Sequence, residues 1–469
     1  MKEKKSNLFL LGILFLCLIL SLLSFFHIDS DYYWHLKAGE IIFQKGIIRH
    51  DIFSWLAHGK YWMSHEWLFE VIIYGLKCLF GKYHTFIYCF SCYILLFGFL
   101  LLTNYKAYLK NFSYTLFYLL FFGISLLGFI QVRAYLISFL LLSITIYLLI
   151  DLYHNSESYK IFFLPLITII WANVHGGSSN LPYLLCFIFF IIGHFSFQFK
   201  KIESKRLKKK QLYRYFIVMI LCIISVCINI HGIKMLTYPY LNMFDTVMID
   251  HIMEWRSTTL HESFHYVYFA YLLFLLLTFL FSSKKIQLID FVLFLICTYL
   301  GLKSIRFWAF TPIIMSYVIF SYVGKSNNKG FTSSVIILST FLLFVFLLND
   351  SFSKLNNSKQ NISSKTISMI SKANPKKLFN QYKYGGELIY HDIPVFIDGR
   401  ADLYSGNYFN DYLSIINLKN NAISLIRKYN FDYYLLSGED PLYTFISNSE
   451  EYELVYKDKN IYFYKKIVN

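Results

Sequence analysis

Two carboxylates separated by one residue, Asp29 and Asp31, follow the first long apolar run of this chain. An acid placed directly after a membrane helix has restricted access to water. A carboxylate in such a place is suited to take a proton from a reacting group. The same segment carries Tyr32, Tyr33, Trp34, His35, Lys37 and Glu40, and it closes on Ser64-His65-Glu66-Trp67. Polar groups recur later, at the ends of further apolar runs: Arg133, Trp171-Ala172-Asn173-Val174-His175-Gly176-Gly177, Asn229-Ile230-His231-Gly232, Glu254-Trp255 and Arg306. Each has a plain role when taken alone. An Asp pair caps a helix, aromatic residues form an interfacial belt, and an arginine snorkels to lipid headgroups. Together on one membrane face they suit a phosphorylated lipid, because arginine pairs with phosphate oxygens and a carboxylate takes a proton.

The elements that must carry these residues are membrane helices. Of 469 residues, 57% are hydrophobic, 20% aromatic and only 15% charged, and the mean hydropathy is +0.48. A soluble chain carries roughly 25% charged residues. The apolar excess sits in runs long enough to span hydrocarbon: Leu8–Phe26, Thr85–Thr103, Phe112–Ile130, Ala134–Ile150, Leu181–Phe199, Tyr215–Ile230, Phe264–Ser282, Ile286–Leu302, Phe307–Val323 and Phe331–Leu348. Trp67–Phe80 and Ile161–Val174 are shorter and ambiguous. The net charge of +16 lies in short basic segments between the runs, above all Lys200–Arg214, as the positive-inside rule expects of cytoplasmic loops. With a basic N-terminus inside, the loop 27–66 is outside. Keeping Lys200–Arg214 inside then requires that one of the two short runs fail to cross. Trp67–Phe80, interrupted by Glu70 and Lys77, satisfies the charge rule better as an interfacial helix.

This predicts an α-helical polytopic membrane protein with about eleven crossings. Its N-terminus is cytoplasmic, and a transmembrane domain over 1–348 carries the large first outer loop 27–66. A linker over 349–375 leads to a small extracytoplasmic α/β domain over 376–469. In that domain Val395-Phe396-Ile397 and Tyr433-Tyr434-Leu435-Leu436 read as short buried strands, Tyr408–Asn417 and Asn421–Lys428 as amphipathic helices, and Tyr452–Tyr456 with Asn460–Tyr464 as a hairpin. Asp398-Gly399-Arg400 reads equally as a structural turn or as a ligand-facing site. All eight cysteines fall in apolar segments, so neither a disulfide framework nor a zinc site is indicated. No Gly-rich phosphate turn in a βαβ context is present, which argues against a nucleotide-sugar fold. The basic segments are read as loops at a membrane surface, with no nucleic-acid partner.

The first-loop Asp-x-Asp of a multi-pass chain resembles the signature of the GT-C glycosyltransferases, which include protein O-mannosyltransferases, lipid A aminoarabinose transferases and oligosaccharyltransferases. Asp29–Leu36, His65-Glu66-Trp67, Trp171–Gly177, Glu254-Trp255, Arg306 with Pro312, and Phe396–Tyr404 are together similar to a group of bacterial GT-C-type membrane proteins. The resemblance covers nearly the whole chain and rests on the order and spacing of these motifs. It departs from the mannosyltransferase and aminoarabinose branches where Tyr32 replaces their Glu and where His65-Glu66 takes the place of a polar-Pro-Pro motif. Ala134 stands where relatives of the group carry Pro after the arginine.

The resemblance implies sugar transfer, with inversion, from a polyprenyl-phosphate donor to a glycan, lipid or protein acceptor at the outer leaflet. Asp31 matches the catalytic acid, with Gly46 as the family's following glycine. Asp31 is thus expected to be the general base, and Asp29 or Glu66 supplies any second acidic role. His35, His65, Glu66, Arg133, His175, Glu254, Arg306, Asp398 and Arg400 are expected at the substrates, Arg306 and Arg133 at the leaving phosphate. A divalent metal is left open, since oligosaccharyltransferases use one and many relatives do not. Two alternatives from other classes are a transporter or flippase of lipid-linked sugars and a non-catalytic membrane scaffold. The absence of internal repeats in the sequence weighs against a transporter.

Overall fold

A computed structural model describes residues 2–108, 122–123, 125–243, 249–250, 252–262, 265–323, 362–404 and 406–467. Most of the expected span Phe112–Ile130, all of Phe331–Leu348 and residues 349–361 of the expected linker lie outside the described residues. The chain divides into two compact units. One comprises Met1–His27, Lys82–Met243 and Ile252–Asn357, and the other Ile28–Gly81, Phe244–His251 and Ser358–Asn469. The loop expected outside the membrane thus shares a unit with the C-terminal tail.

The first unit is built of apolar helices. They include Lys2–Phe26, His84–Tyr108, Tyr135–His154, Leu164–Val174, Leu181–Gly193, Lys209–Val226, Tyr266–Phe281, Leu288–Lys303 and Phe310–Val323. Pro165 and Pro182 sit in the first turns of their helices, where a missing N–H leaves no bond unmade. By length and composition, Trp67–Thr103, Tyr135–His154 and Gly176–Gly193 are long and apolar enough to cross a membrane. Lys160–Val174, Tyr266–Phe281 and Ile305–Val318 are shorter apolar helices. The run expected as Leu181–Phe199 ends as a helix at Gly193. There the chain turns into a hairpin, Phe197–Phe199 against Ile202–Ser204, through Lys200 at φ 49°, and Ile202–Ser204 pairs in parallel with Ile286–Gln287. Beside the basic run, Arg214 donates to the Ser156 and Ser158 carbonyls at 2.8 Å and lies over the Tyr159 ring, so this cation secures a loop.

The second unit starts with the helix Ser30–Lys45. Asp29 is its N-cap, accepting from the Tyr32 N–H at 3.2 Å, and Gly46, at φ 91°, ends it. Trp34, Ala38 and Ile42 recur every fourth residue and form its buried stripe. Trp67–Phe80 packs closely on this helix at Gly39, where any Cβ would collide with the Glu70 carbonyl.

The tail forms a four-stranded sheet in the order Leu378–Asn380, Tyr433–Ser437, Ile461–Lys466, Tyr452–Asp458. The first pair is parallel and the others antiparallel. The parallel pair requires a long crossover, which contains the helices Asn407–Ile416 and Ala422–Tyr429. Both helices and the terminal hairpin lie where the spacing predicts them. Val395-Phe396-Ile397 is buried as expected, but it is not a strand of this sheet: it makes one isolated bridge, Val395 with Ser54. The reason is local. Asn380 accepts from the Phe396 N–H and donates to the Ile397 carbonyl, both at 2.8 Å, which occupies the groups a neighbouring strand would use. Within the stretch read as linker, Ser364–Ala373 is a helix capped by Ser363 and closed by Asn374 at φ 46°. A single hydrophobic core joins Trp34, Ile48, Phe53, Ala57 and Trp62 to Ile367, Leu378, Phe396, Tyr434 and Phe463.

Candidate functional site

Asp31 lies in the first turn of Ser30–Lys45, where the helix dipole and the free N–H groups favour a carboxylate. It is half-buried. The tail backbone meets it directly, since a Cβ on Gly399 would fall on the Asp31 carboxylate. One turn further on, His35 is buried between two acids. Its Nδ1 is 3.3 Å from Glu70 and its Nε2 is 3.3 Å from Glu66. Ser64 donates to the other Glu70 oxygen at 3.3 Å, and His65 approaches Glu66 at 3.6 Å. Residues i and i+4 share a helix face, so Asp31 and His35 belong to one edge of this helix.

Arg400 has no exposed side-chain surface, and neither do its two ion-pair partners. It grips Asp398 bidentately, Nε to Oδ1 at 2.8 Å and Nη2 to Oδ2 at 2.7 Å, and donates from Nη1 to Asp51 at 2.6 Å. Tyr404 donates to Asp398 at 2.6 Å. Asp51 accepts as well from the Phe53 and Ser54 N–H groups and the Ser54 hydroxyl, and the Phe53 and Trp62 rings lie against the guanidinium. Burial opposes the Arg400 charge, but Asp398, Tyr404 and Asp51 outweigh it and hold the guanidinium pKa well above its usual value. Burial, with Asp398 beside it, likewise raises the Tyr404 phenol, which stays protonated as a donor.

In the other unit, Arg306 donates from Nη2 to His175 Nε2 at 3.0 Å. Arginine keeps its protons in proteins, so His175 must present a lone pair there and carry its proton on Nδ1. That nitrogen lies 2.6 Å from the Ser138 hydroxyl and 3.0 Å from the Ser178 hydroxyl, and the Trp171 indole N–H donates to both serines. The Trp255 ring lies under the guanidinium at 4.8 Å. Both His175 nitrogens are therefore engaged by protein, and the histidine aims a half-exposed guanidinium. Arg133 and Glu254 are half-buried too, and each lends a backbone carbonyl to a hydroxyl, Tyr88 and Ser304 respectively.

No protein-family model matches the chain, and no curated protein matches it in sequence. Solved structures do. The apo oligosaccharyltransferase of Archaeoglobus fulgidus superposes with a TM-score of 0.53 at 11% identity, covering 92% of this chain and 69% of that one. The archaeal oligosaccharyltransferase AglB from Archaeoglobus fulgidus, in complex with an inhibitory peptide and a dolichol-phosphate, gives 0.54 at 11% identity over 93% and 70%. The same enzyme tethered to an acceptor peptide containing the NVT sequon gives 0.54 at 10% identity over 92% and 69%. The chain has the GT-C fold.

Within that fold most of the expected residues fall into three groups. Asp29, Asp31, His35, His65 and Glu66 gather about the start of Ser30–Lys45 and the start of Trp67–Phe80. Asp398 and Arg400 are locked to each other, and Arg306 is joined to His175 and Trp255. Asp51 escaped the sequence reading, as did Ser138 and Ser178. A signal for Asp51 was present: Asp51-Ile52-Phe53-Ser54 is an Asp-x-x-Ser turn amid aromatic residues, a place where a charge needs a partner. Among the described residues no group of three or more His, Cys, Asp or Glu is placed to hold a metal ion.

Proposed function

We propose that this chain is a membrane glycosyltransferase using a polyprenyl-phosphate sugar at the outer leaflet. The observation that carries the reading is an acid, Asp31, in the first turn of the helix after the first apolar helix of a GT-C fold. Asp31 takes the proton of an acceptor hydroxyl as that oxygen attacks the anomeric carbon. The bond from that carbon to the phosphate oxygen breaks on the opposite face, so the configuration inverts. Polyprenyl phosphate leaves with the bonding pair, and Arg306, with Arg133, neutralises it. His35, His65, Glu66 and Glu254 serve the sugar and the acceptor. The dolichol-phosphate in the AglB complex supports a lipid phosphate as the carrier's chemistry.

The direct test is the purified full chain in liposomes with a synthetic polyprenyl-phosphate hexose and crude cell-envelope acceptors. Donor-dependent release of polyprenyl phosphate is expected. Movement of the lipid across the bilayer without cleavage would replace this reading with the flippase.

The arginine site makes a separate prediction. His175→Ala removes the acceptor that aims Arg306. A hydrogen bond to a charged group is worth about 1.5–3 kcal/mol, so affinity for polyprenyl phosphate should drop about tenfold or more. Arg306→Ala should do at least as much, and unchanged binding in both variants would remove the phosphate role from this cluster.

Orientation is testable by thiol labelling. Cys78 is the exposed native cysteine among the described residues, so Cys78→Ser supplies the background. Lys205→Cys and Ser447→Cys, both exposed positions, should differ, with an impermeant reagent reaching only Ser447→Cys in intact cells. Reaction at Lys205→Cys alone would invert the topology.

A further inference from the structure

Gly399 has a backbone outside the left-handed region, one that side chains adopt freely. Its need for glycine is therefore spatial, and the space is taken by Asp31. Two further glycines of the tail make approaches of the same kind. A Cβ on Gly386 would strike the Ser30 carbonyl, and one on Gly385 would strike Asp398 and the Ile397 carbonyl. The first turn of Ser30–Lys45 is thus held against tail backbone at residues 386 and 399, and residue 385 holds those two pieces of tail together.

The loop that brings Gly399 there is fixed on both sides. The Gly399 carbonyl accepts from the Tyr382 hydroxyl at 3.2 Å and from the Ala401 N–H at 2.9 Å. Before it, Asp398 is clamped by Arg400 and Tyr404. After it, Arg400 is tied to Asp51 of the first outer segment.

We infer that Gly399 is a positioning residue for Asp31, and that the Asp398-Gly399-Arg400 turn exists to set a backbone wall against that carboxylate. This rests on Asp31 being the base. A short side chain confined by backbone keeps one carboxylate orientation without having to be ordered at each turnover. The buried Asp398–Arg400–Asp51 bonds place the wall and do not touch the reactants. On this account the tail is a part of the base's housing, which explains why a motif so far along the chain accompanies the first-loop acid.

The test is a double-mutant cycle on the full chain, read by thermal unfolding and by turnover of a synthetic polyprenyl-phosphate hexose. Gly399→Ala should lower the unfolding temperature when Asp31 is present and much less in an Asp31→Ala background, where the space is vacated. Gly386→Ala, which strikes a backbone carbonyl, should be equally harmful in both backgrounds. If Gly399→Ala alone fails to fold, recovery in the double variant supports the contact.

A misplacement of about 1 Å costs on the order of 10²-fold in rate. Gly399→Ala should therefore lose that much kcat while KM for the donor stays within about twofold, whereas simple loss of folded protein would leave the kcat of the surviving fraction unchanged. Equal destabilisation in both backgrounds, or wild-type kcat, overturns the inference. Stability coupling together with an Asp31→Asn protein at full turnover would leave the contact standing and remove the base assignment, so the two failures are separable.

Discussion

An Asp31→Asn protein should bind polyprenyl phosphate as the parent does and transfer sugar about 10²–10⁴-fold more slowly, the usual cost of removing a general base. Asn keeps the shape that faces Gly399 and removes only the proton acceptor. On the proposed reading Arg306 and Arg133 bind the phosphate, so donor affinity should stay within about twofold while kcat collapses. The neighbouring acid behaves differently because its geometry differs. Asp29 caps its helix through the Tyr32 N–H, and Asn caps as well as Asp. Asp29→Asn should therefore fold normally and show only a mild rate defect. If Asp31→Asn turns over at near-parent rate while Glu66→Gln is dead, the base is Glu66. A scaffold predicts that both variants keep full biological activity.

Arg400→Ala should unfold the second unit before it does anything to binding. Among the described residues, Arg400 is the cation that pairs with two buried carboxylates, Asp398 and Asp51. Removing one partner of a buried pair typically costs 3–5 kcal/mol, because the remaining charges stay desolvated, at roughly 3–5 kcal/mol here. Arg400→Lys should recover little, since an ammonium cannot reproduce the fork that grips Asp398. Trp34, Trp55, Trp62 and Trp67 lie in this unit, so tryptophan fluorescence during heating should show an early transition in both variants. Unchanged unfolding with lost transfer would make Arg400 a ligand contact. The parent geometry shows why stability should respond: five short bonds converge on Asp398 and Arg400, and no side-chain surface of either is left to solvent.

Much of the architecture is local and was therefore legible. The helix starts at Ser30 because Asp29 caps it, and it stops at Gly46. Tyr408–Asn417, Asn421–Lys428 and the terminal hairpin follow from periods of 3.6 and 2 within a few residues. Val395–Ile397 shows where local reading fails: three apolar residues spell a strand, yet the Asn380 side chain takes up the strand's hydrogen bonds. The Asp29/Asp31 pair, His65-Glu66 and Arg306 were visible because ionisable groups beside apolar runs are costly and so stand out.

The sequence by itself determined most of the apolar helices among the described residues, where the acids and arginines concentrate, and that the tail is an α/β element. Tertiary structure alone decided what those groups do to one another. Asp51 meets Arg400 across 349 positions, and His175 meets Arg306 across 131. The reason is physical. Secondary structure follows from steric and hydrogen-bonding rules that act over a few residues, whereas a buried charge or a glycine facing a carboxylate is defined by whatever the folded chain brings beside it.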